Sequence, residues 1–137
     1  MYTAAVFITL SDTDAAGVVY FASVLRLAHS ALEAFFDEQG LDLLQVDQAL
    51  FPIVHCEADY RRPMRRGDHL TCTVSCPEIA PSRFSIAYRF TQANGEVAAT
   101  ARTIHAAVDR ERFVSCALPQ RMVAVLQPLQ AVETSAG

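Results

Sequence analysis

At 137 residues the chain has the length of one domain, enough to bury a single hydrophobic core and too little for two. With 52% apolar and 19% charged residues, it has the composition of a folded chain, not of a disordered one. A net charge of −4 argues against a nucleic-acid partner, which demands a basic face, and the surplus of apolar residues points to a homo-oligomer.

In chain order, Met1 to Leu10 is rich in β-branched and aromatic residues and reads as a strand. Ser11 to Asp14 is a polar break made of turn and capping residues. From about Ala22 to Gln39 the period becomes helical, with Leu25, Ala28, Leu32 and Phe35 or Phe36 on one face. Arg26, Ser30, Glu33 and Asp37 fall largely elsewhere, and Gly40 is placed to stop the helix. Leu41 to Phe51 reads as a partly helical connector. Beyond Pro52 the character is strand-like: Ile53 to Tyr60, Leu70 to Ser75, then Phe84 to Thr91 with alternating Phe84, Ile86, Tyr88 and Phe90. Asn94-Gly95 is the strongest hairpin signal, followed by a return strand from Val97 to Val108 and a short extension at Phe113 to Ala117. Pro119 opens a C-terminal helix to about Val125, and the last several residues read as frayed. One strand, one long apolar helix and an antiparallel meander give an α+β domain over residues 1–137, with the helix packed on one face of a curved sheet of about five strands.

No basic segment followed by a long apolar run opens the chain, and no apolar stretch reaches the roughly 20 residues of a membrane span. The expected location is cytoplasmic, with no membrane partner. Cys56, Cys72, Cys76 and Cys116 form no C-x-x-C pair, so neither a metal site nor a disulfide is expected; in a strand, Cys72 and Cys76 would lie about 13 Å apart. Cys56 follows His55 directly, and strand neighbours point to opposite faces, which makes a Cys–His nucleophile pair a poor reading.

The chemistry concentrates in Ser11-Asp12-Thr13-Asp14-Ala15-Ala16-Gly17-Val18-Val19-Tyr20-Phe21. This order puts Asp14 near a helix start, where unpaired backbone amides are able to bind the oxyanion formed when a thioester carbonyl is attacked. Gly17 and its small neighbours let an acyl group approach the backbone. The Asp14 carboxylate is suited to act as nucleophile or as general base on water. On spacing alone a second reading stands beside this one, in which Asp12 and Asp14 are loop and capping residues.

The run from Asp12 to Phe21 resembles the D-x-D-x-x-G-[VI]-V-[YW] signature of the 4-hydroxybenzoyl-CoA thioesterase family. The likeness extends to about Arg121 through Phe51-Pro52-Ile53-Val54-His55 and the Arg62-Pro63…Gly67-Asp68 turn. It implies a hotdog fold and acyl-CoA thioester hydrolysis, with Asp14 catalytic and the Phe21 amide polarising the carbonyl; Gly17, Val19 and Tyr20 would complete the oxyanion and substrate site. It also implies dimers or tetramers with the active site at a subunit interface. No metal or organic cofactor would be used, with CoA entering only as part of the substrate. The Tol–Pal-associated thioesterases carry histidine where this chain has Phe21, and an aromatic there suits a flatter, more apolar acyl pocket.

The resemblance is nearer to the 1,4-dihydroxy-2-naphthoyl-CoA hydrolases of phylloquinone and menaquinone synthesis, which share D-T-D-x-A-G-V-V-Y-F, a helix histidine (His29) and the strand histidine (His55). Two alternatives are carried with it: a broad or short-chain acyl-CoA thioesterase, and a non-catalytic acyl-CoA-binding dimer. His55 is a candidate contact for an acyl hydroxyl or the attacking water, against a core-histidine reading. His29 has an i,i+4 pair with Glu33 as its plain explanation. Among the arginines, Arg62, Arg65 and Arg83 are candidates for the CoA phosphates, with Arg61 and Arg66 beside them. Asp12, read as a cap, is expected to matter much less than Asp14.

Overall fold

The computed structural model describes residues 1–130. β1 (Tyr2–Phe7) leads through a 3-10 turn at Leu10–Asp12 into α1 (Phe21–Glu38). The chain continues through β2 (Ala49–Leu50), β3 (Ile53–Tyr60), β4 (His69–Ala80), β5 (Arg83–Gln92), β6 (Val97–Ala106) and β7 (Val108–Asp109) to α2 (Gln120–Gln130). Five strands form one antiparallel sheet in the order β1-β4-β5-β6-β3, and β2 pairs with β7 apart from it. The expected α+β architecture, a long helix against a curled five-stranded sheet, is present. The reading of the last residues as frayed falls outside the described residues.

α1 buries Val24, Leu27, Ala28, Ala31, Leu32, Phe35 and Phe36, a stripe recurring every three or four positions. The stripe begins on Val24 and Leu27, so Leu25, expected on the core face, is only half-buried. Across from it lie Leu70, Cys72 and Val74 of β4 and Phe84, Ile86, Tyr88 and Phe90 of β5, all buried. Each fully buried side chain of this size contributes about 1.5–3 kcal/mol of transfer free energy. Burial pushes the Cys72 thiol up to about 12, so it is a packing group and not a nucleophile. α2 adds Met122, Leu126 and Leu129 to the same core.

Gly40 stops α1 as expected. It takes φ +68°; its amide donates to Asp37 O at 3.0 Å and that of Leu41 to Phe36 O at 2.9 Å, the pairing of a Schellman cap. Two segments depart from expectation. Residues 41–51 hold turns and β2 instead of helix, because the Asp42 carboxylate takes the Leu44 amide at 2.9 Å and offers the backbone an alternative to a helical bond. β4 runs on past Ser75 to Ala80, since the irregularity between Ser75 and Glu78 lifts Pro77 out of the ladder.

The sheet's two edges differ. β1 alternates in exposure, whereas seven of the eight β3 residues are exposed, and Val54 (60%) stands on that edge with Ile53 and Tyr60. No helix of the described residues is long and apolar enough to cross a membrane.

Candidate active site

The segment between the 3-10 turn and α1 folds into a small hydrogen-bonded loop. The Asp14 amide donates to Val18 O at 2.9 Å and the Gly17 amide to Asp14 O at 3.0 Å, while Thr13 and Val19 bridge in antiparallel fashion. Aspartate at the first position and glycine at the fourth suit such a turn. Gly17 takes φ +82° with open space where a Cβ would sit, so its role is backbone conformation and not steric clearance. The turn folds exposed Asp14 back towards the helix start, seven positions further along the chain. One Asp14 oxygen, Oδ1, accepts the Ala16 amide at 2.8 Å; no partner within the described residues holds Oδ2.

Asp14 thereby comes to line an open cleft of about 390 Å³ with Val18, Val19, Tyr20, Phe21, Tyr60, Arg61, Arg62, Pro63 and Met64. The amides of the helix start are not equivalent. Val19 N donates to Met64 O and Tyr20 N to Asp12 O, both at 2.8 Å. Those of Phe21 and Ala22 donate to no oxygen of the described residues, and Tyr20, the N-cap, provides no side-chain cap. Of the expected oxyanion donors, only Phe21 thus presents a free amide, at the positive end of an 18-residue helix. The Tyr60 hydroxyl donates to the Phe21 carbonyl; burial raises its pKa, which keeps it a donor.

Asp12 lies deeper, 2% exposed. Its Oδ2 accepts the Thr9 amide at 2.8 Å and the Thr9 hydroxyl at 3.0 Å, and Oδ1 accepts from Arg26 in an ion pair. Asp12 caps the 3-10 turn, as its sequence position suggests; its link to Arg26 could not be read from spacing.

The remaining candidates are dispersed within one chain. Arg62 lines the cleft and pairs with Glu96 at 2.8 Å, whereas Arg61 beside it forms no ion pair among the described residues. Arg65 is exposed next to the loop, bridged to Val18 and donating its amide to Asp68 at 2.8 Å. Arg83 begins β5 at the opposite end of the sheet from the cleft. His55 pairs with Ile104, and Tyr60, five residues on, with Ala99. The strand alternation puts these two side chains on opposite faces, and His55 meets Glu57 at 3.0 Å. The structure therefore does not bring His55 to Asp14 within the chain. His29 is exposed and does not pair with Glu33; both line a second cavity of about 570 Å³ beside the C-terminal half of α1. That cavity adjoins an apolar space of about 310 Å³ shared by His29, Phe36, Phe51, Phe84, His105 and Phe113. Tyr60 and Met64 line the Asp14 cleft without having been singled out; no pattern in a single sequence marks them.

This arrangement of helix, sheet and acidic loop is that of a hotdog thioesterase. The chain belongs to the thioesterase-like superfamily, which it matches over residues 8–126. It is 38% identical over 124 residues to the 1,4-dihydroxy-2-naphthoyl-CoA hydrolase of Synechococcus elongatus, covering 88% of this chain and 90% of that protein. The protein of the same name from Rippkaea orientalis is 35% identical, with 93% and 94% covered. A crystal structure of a 1,4-dihydroxy-2-naphthoyl-CoA thioesterase from Synechocystis superposes with a TM-score of 0.85 at 29% identity, over 91% of this chain and 94% of that one.

Proposed function

We propose that the chain hydrolyses the thioester of an aromatic acyl-CoA, 1,4-dihydroxy-2-naphthoyl-CoA being the substrate its relatives' names favour. The observation that carries the mechanism is the convergence of the Asp14 carboxylate and the free Phe21 amide on one cleft. The thioester carbonyl lies with its oxygen towards the Phe21 amide. Asp14 either attacks the carbonyl carbon, expelling the CoA thiolate and leaving a mixed anhydride that water then hydrolyses, or takes a proton from the attacking water and passes it to the departing sulfur. In both, charge gathering on the carbonyl oxygen is met by the helix N-terminus. CoA leaves as the thiol, its proton coming from the water consumed. Among the described residues Arg61 is the cleft arginine with no ion-pair partner, placed to meet a phosphate, with Arg62 shared with Glu96.

The cleft is too open to exclude water, and Tyr20, Phe21 (63%) and the β3 edge expose apolar surface beside it. A second copy of the chain docked along β3 would satisfy that unpaired edge and close the cleft, which supports a homodimer as the working unit. Val54→Asp, on the exposed edge, is expected to shift the protein to monomer by sedimentation and to lower activity with it; an unchanged mass would refute this docking.

The activity is tested by thiol release from a panel of acyl-CoAs. The expected result is kcat/KM at least tenfold higher for the dihydroxynaphthoyl thioester than for short aliphatic ones. Equal rates across the panel would favour a broad thioesterase, and no release from any member would leave a binding protein.

A further inference from the structure

We propose that Asp12 and Arg26 form a positioning pair that holds the nucleophile loop in register with the oxyanion amide, an inference that rests on Asp14 being the reacting carboxylate. Asp12 holds both ends of the loop. Its side chain secures the entry through Thr9, and its own carbonyl secures the exit by accepting the Tyr20 amide at 2.8 Å, immediately before Phe21. Asp14 stands two residues after Asp12, and the free amide one residue after Tyr20. Any rotation of the Asp12 peptide therefore moves both reacting partners.

Arg26 fixes that peptide to the helix. Among the described residues it makes the one side-chain hydrogen bond between residues 8–19 and α1, and it is the one partner of Asp12 Oδ1. A cap alone would need only Thr9, which occupies Oδ2. Exposed ion pairs do little because water replaces either partner freely. Here the carboxylate side chain is 3% exposed while the arginine is 58% exposed, so losing Arg26 leaves a buried anionic oxygen unpaired. The cheapest relief is for Asp12 to turn towards water, which takes the loop with it. Misplacement of a reacting group by about 1 Å costs on the order of a hundredfold in rate.

The test measures kcat, KM and thermal midpoint for Arg26→Gln, Arg26→Lys, Asp12→Asn and the Asp12→Asn/Arg26→Gln double variant, with Asp14→Asn alongside, on an aryl-CoA thioester. Arg26→Gln is expected to lower kcat about tenfold with KM within about twofold, and Arg26→Lys to recover most of it. Asp12→Asn should lower kcat about thirtyfold, still far less than Asp14→Asn, and the double variant should be no slower than Asp12→Asn because the two act as one unit. Arg26 is exposed enough that its variants report even where Asp12→Asn fails to fold. The pair is refuted if Arg26→Gln and Arg26→Lys keep kcat within twofold of the parent while Asp14→Asn is inactive, or if their losses follow the folded fraction alone. Full activity in Asp14→Asn overturns the reading of the site and the pair with it.

Discussion

The two ends of α1 are built on opposite principles. At the C-terminal end, Gly40 and Leu41 return their amides to the last turn, so the carbonyls of Asp37 and Phe36 are paired and Leu41 is buried. At the N-terminal end Tyr20 offers no side-chain cap and, among the described residues, the amides of Phe21 and Ala22 find no acceptor. An N-cap side chain is worth about 1 kcal/mol, and the helix forgoes it where the acidic loop arrives. One end is finished for stability and the other is left open where the proposed oxyanion would bind.

The sharpest way to break this contrast is to neutralise the carboxylate facing the open end. Asp14→Asn is expected to lower kcat about a thousandfold, about 4 kcal/mol of barrier, with an unchanged thermal midpoint because Asp14 is exposed. Substantial turnover by that variant would remove the chemistry from this end.

The closed half of the helix is tested through stability. Burial lowers His105 to about 4, with nearby His29 acting in the same direction and the hydrogen bond to Phe51 O opposing it. Above about pH 6.5 the ring is neutral in both folded and unfolded chains, so stability does not vary with its protonation. Between pH 6.5 and 4 the unfolded chain binds a proton that the folded one refuses, so stability falls with pH, by about 3 kcal/mol over that window. Urea midpoints at pH 8, 6 and 5 should show this slope, and His105→Gln should flatten it; an equal slope in the variant would assign the effect elsewhere.

The smallest effect sharpens the comparison most. Tyr20→Asp supplies the missing cap and a charge favourable to the helix dipole, and is expected to stabilise the fold by up to about 1 kcal/mol. The same carboxylate would occupy the amides needed for the oxyanion and lower kcat about tenfold. If activity and stability rise together, the open helix start has no catalytic use.

Much of this was legible in the residues because local chemistry decided it. The alternation of Phe84, Ile86, Tyr88 and Phe90, the Asn94-Gly95 hairpin and the Gly40 stop each need only near neighbours in sequence. Asp14 was found through the motif around it, since its spacing alone allowed a plain capping role. What stayed hidden depends on contacts between distant segments. The strand read as Leu70 to Ser75 runs on to Ala80 because an irregularity of the sheet accommodates Pro77. Met64 holds the Val19 amide across 45 positions of chain, and Arg26 reads as a solvated helix residue until Asp12 is seen beneath it. Residues 41–51 read as a partly helical connector, while the Asp42 side chain selects a turn.

The buried polar row beneath the sheet has one further consequence. Tyr88 meets Thr103 at 3.0 Å, Thr103 meets His105 Nε2 at 2.9 Å, and His105 Nδ1 faces Phe51 O at 3.4 Å. A carbonyl only accepts, so Nδ1 carries the proton and Nε2 offers its lone pair to the Thr103 hydroxyl, which in turn receives the Tyr88 hydroxyl proton. The row runs one way, and it occupies the single basic site on the ring. A histidine bordering an aromatic cavity is thus spent as a strut, a fixed tautomer bracing Phe51 with no lone pair left for proton traffic.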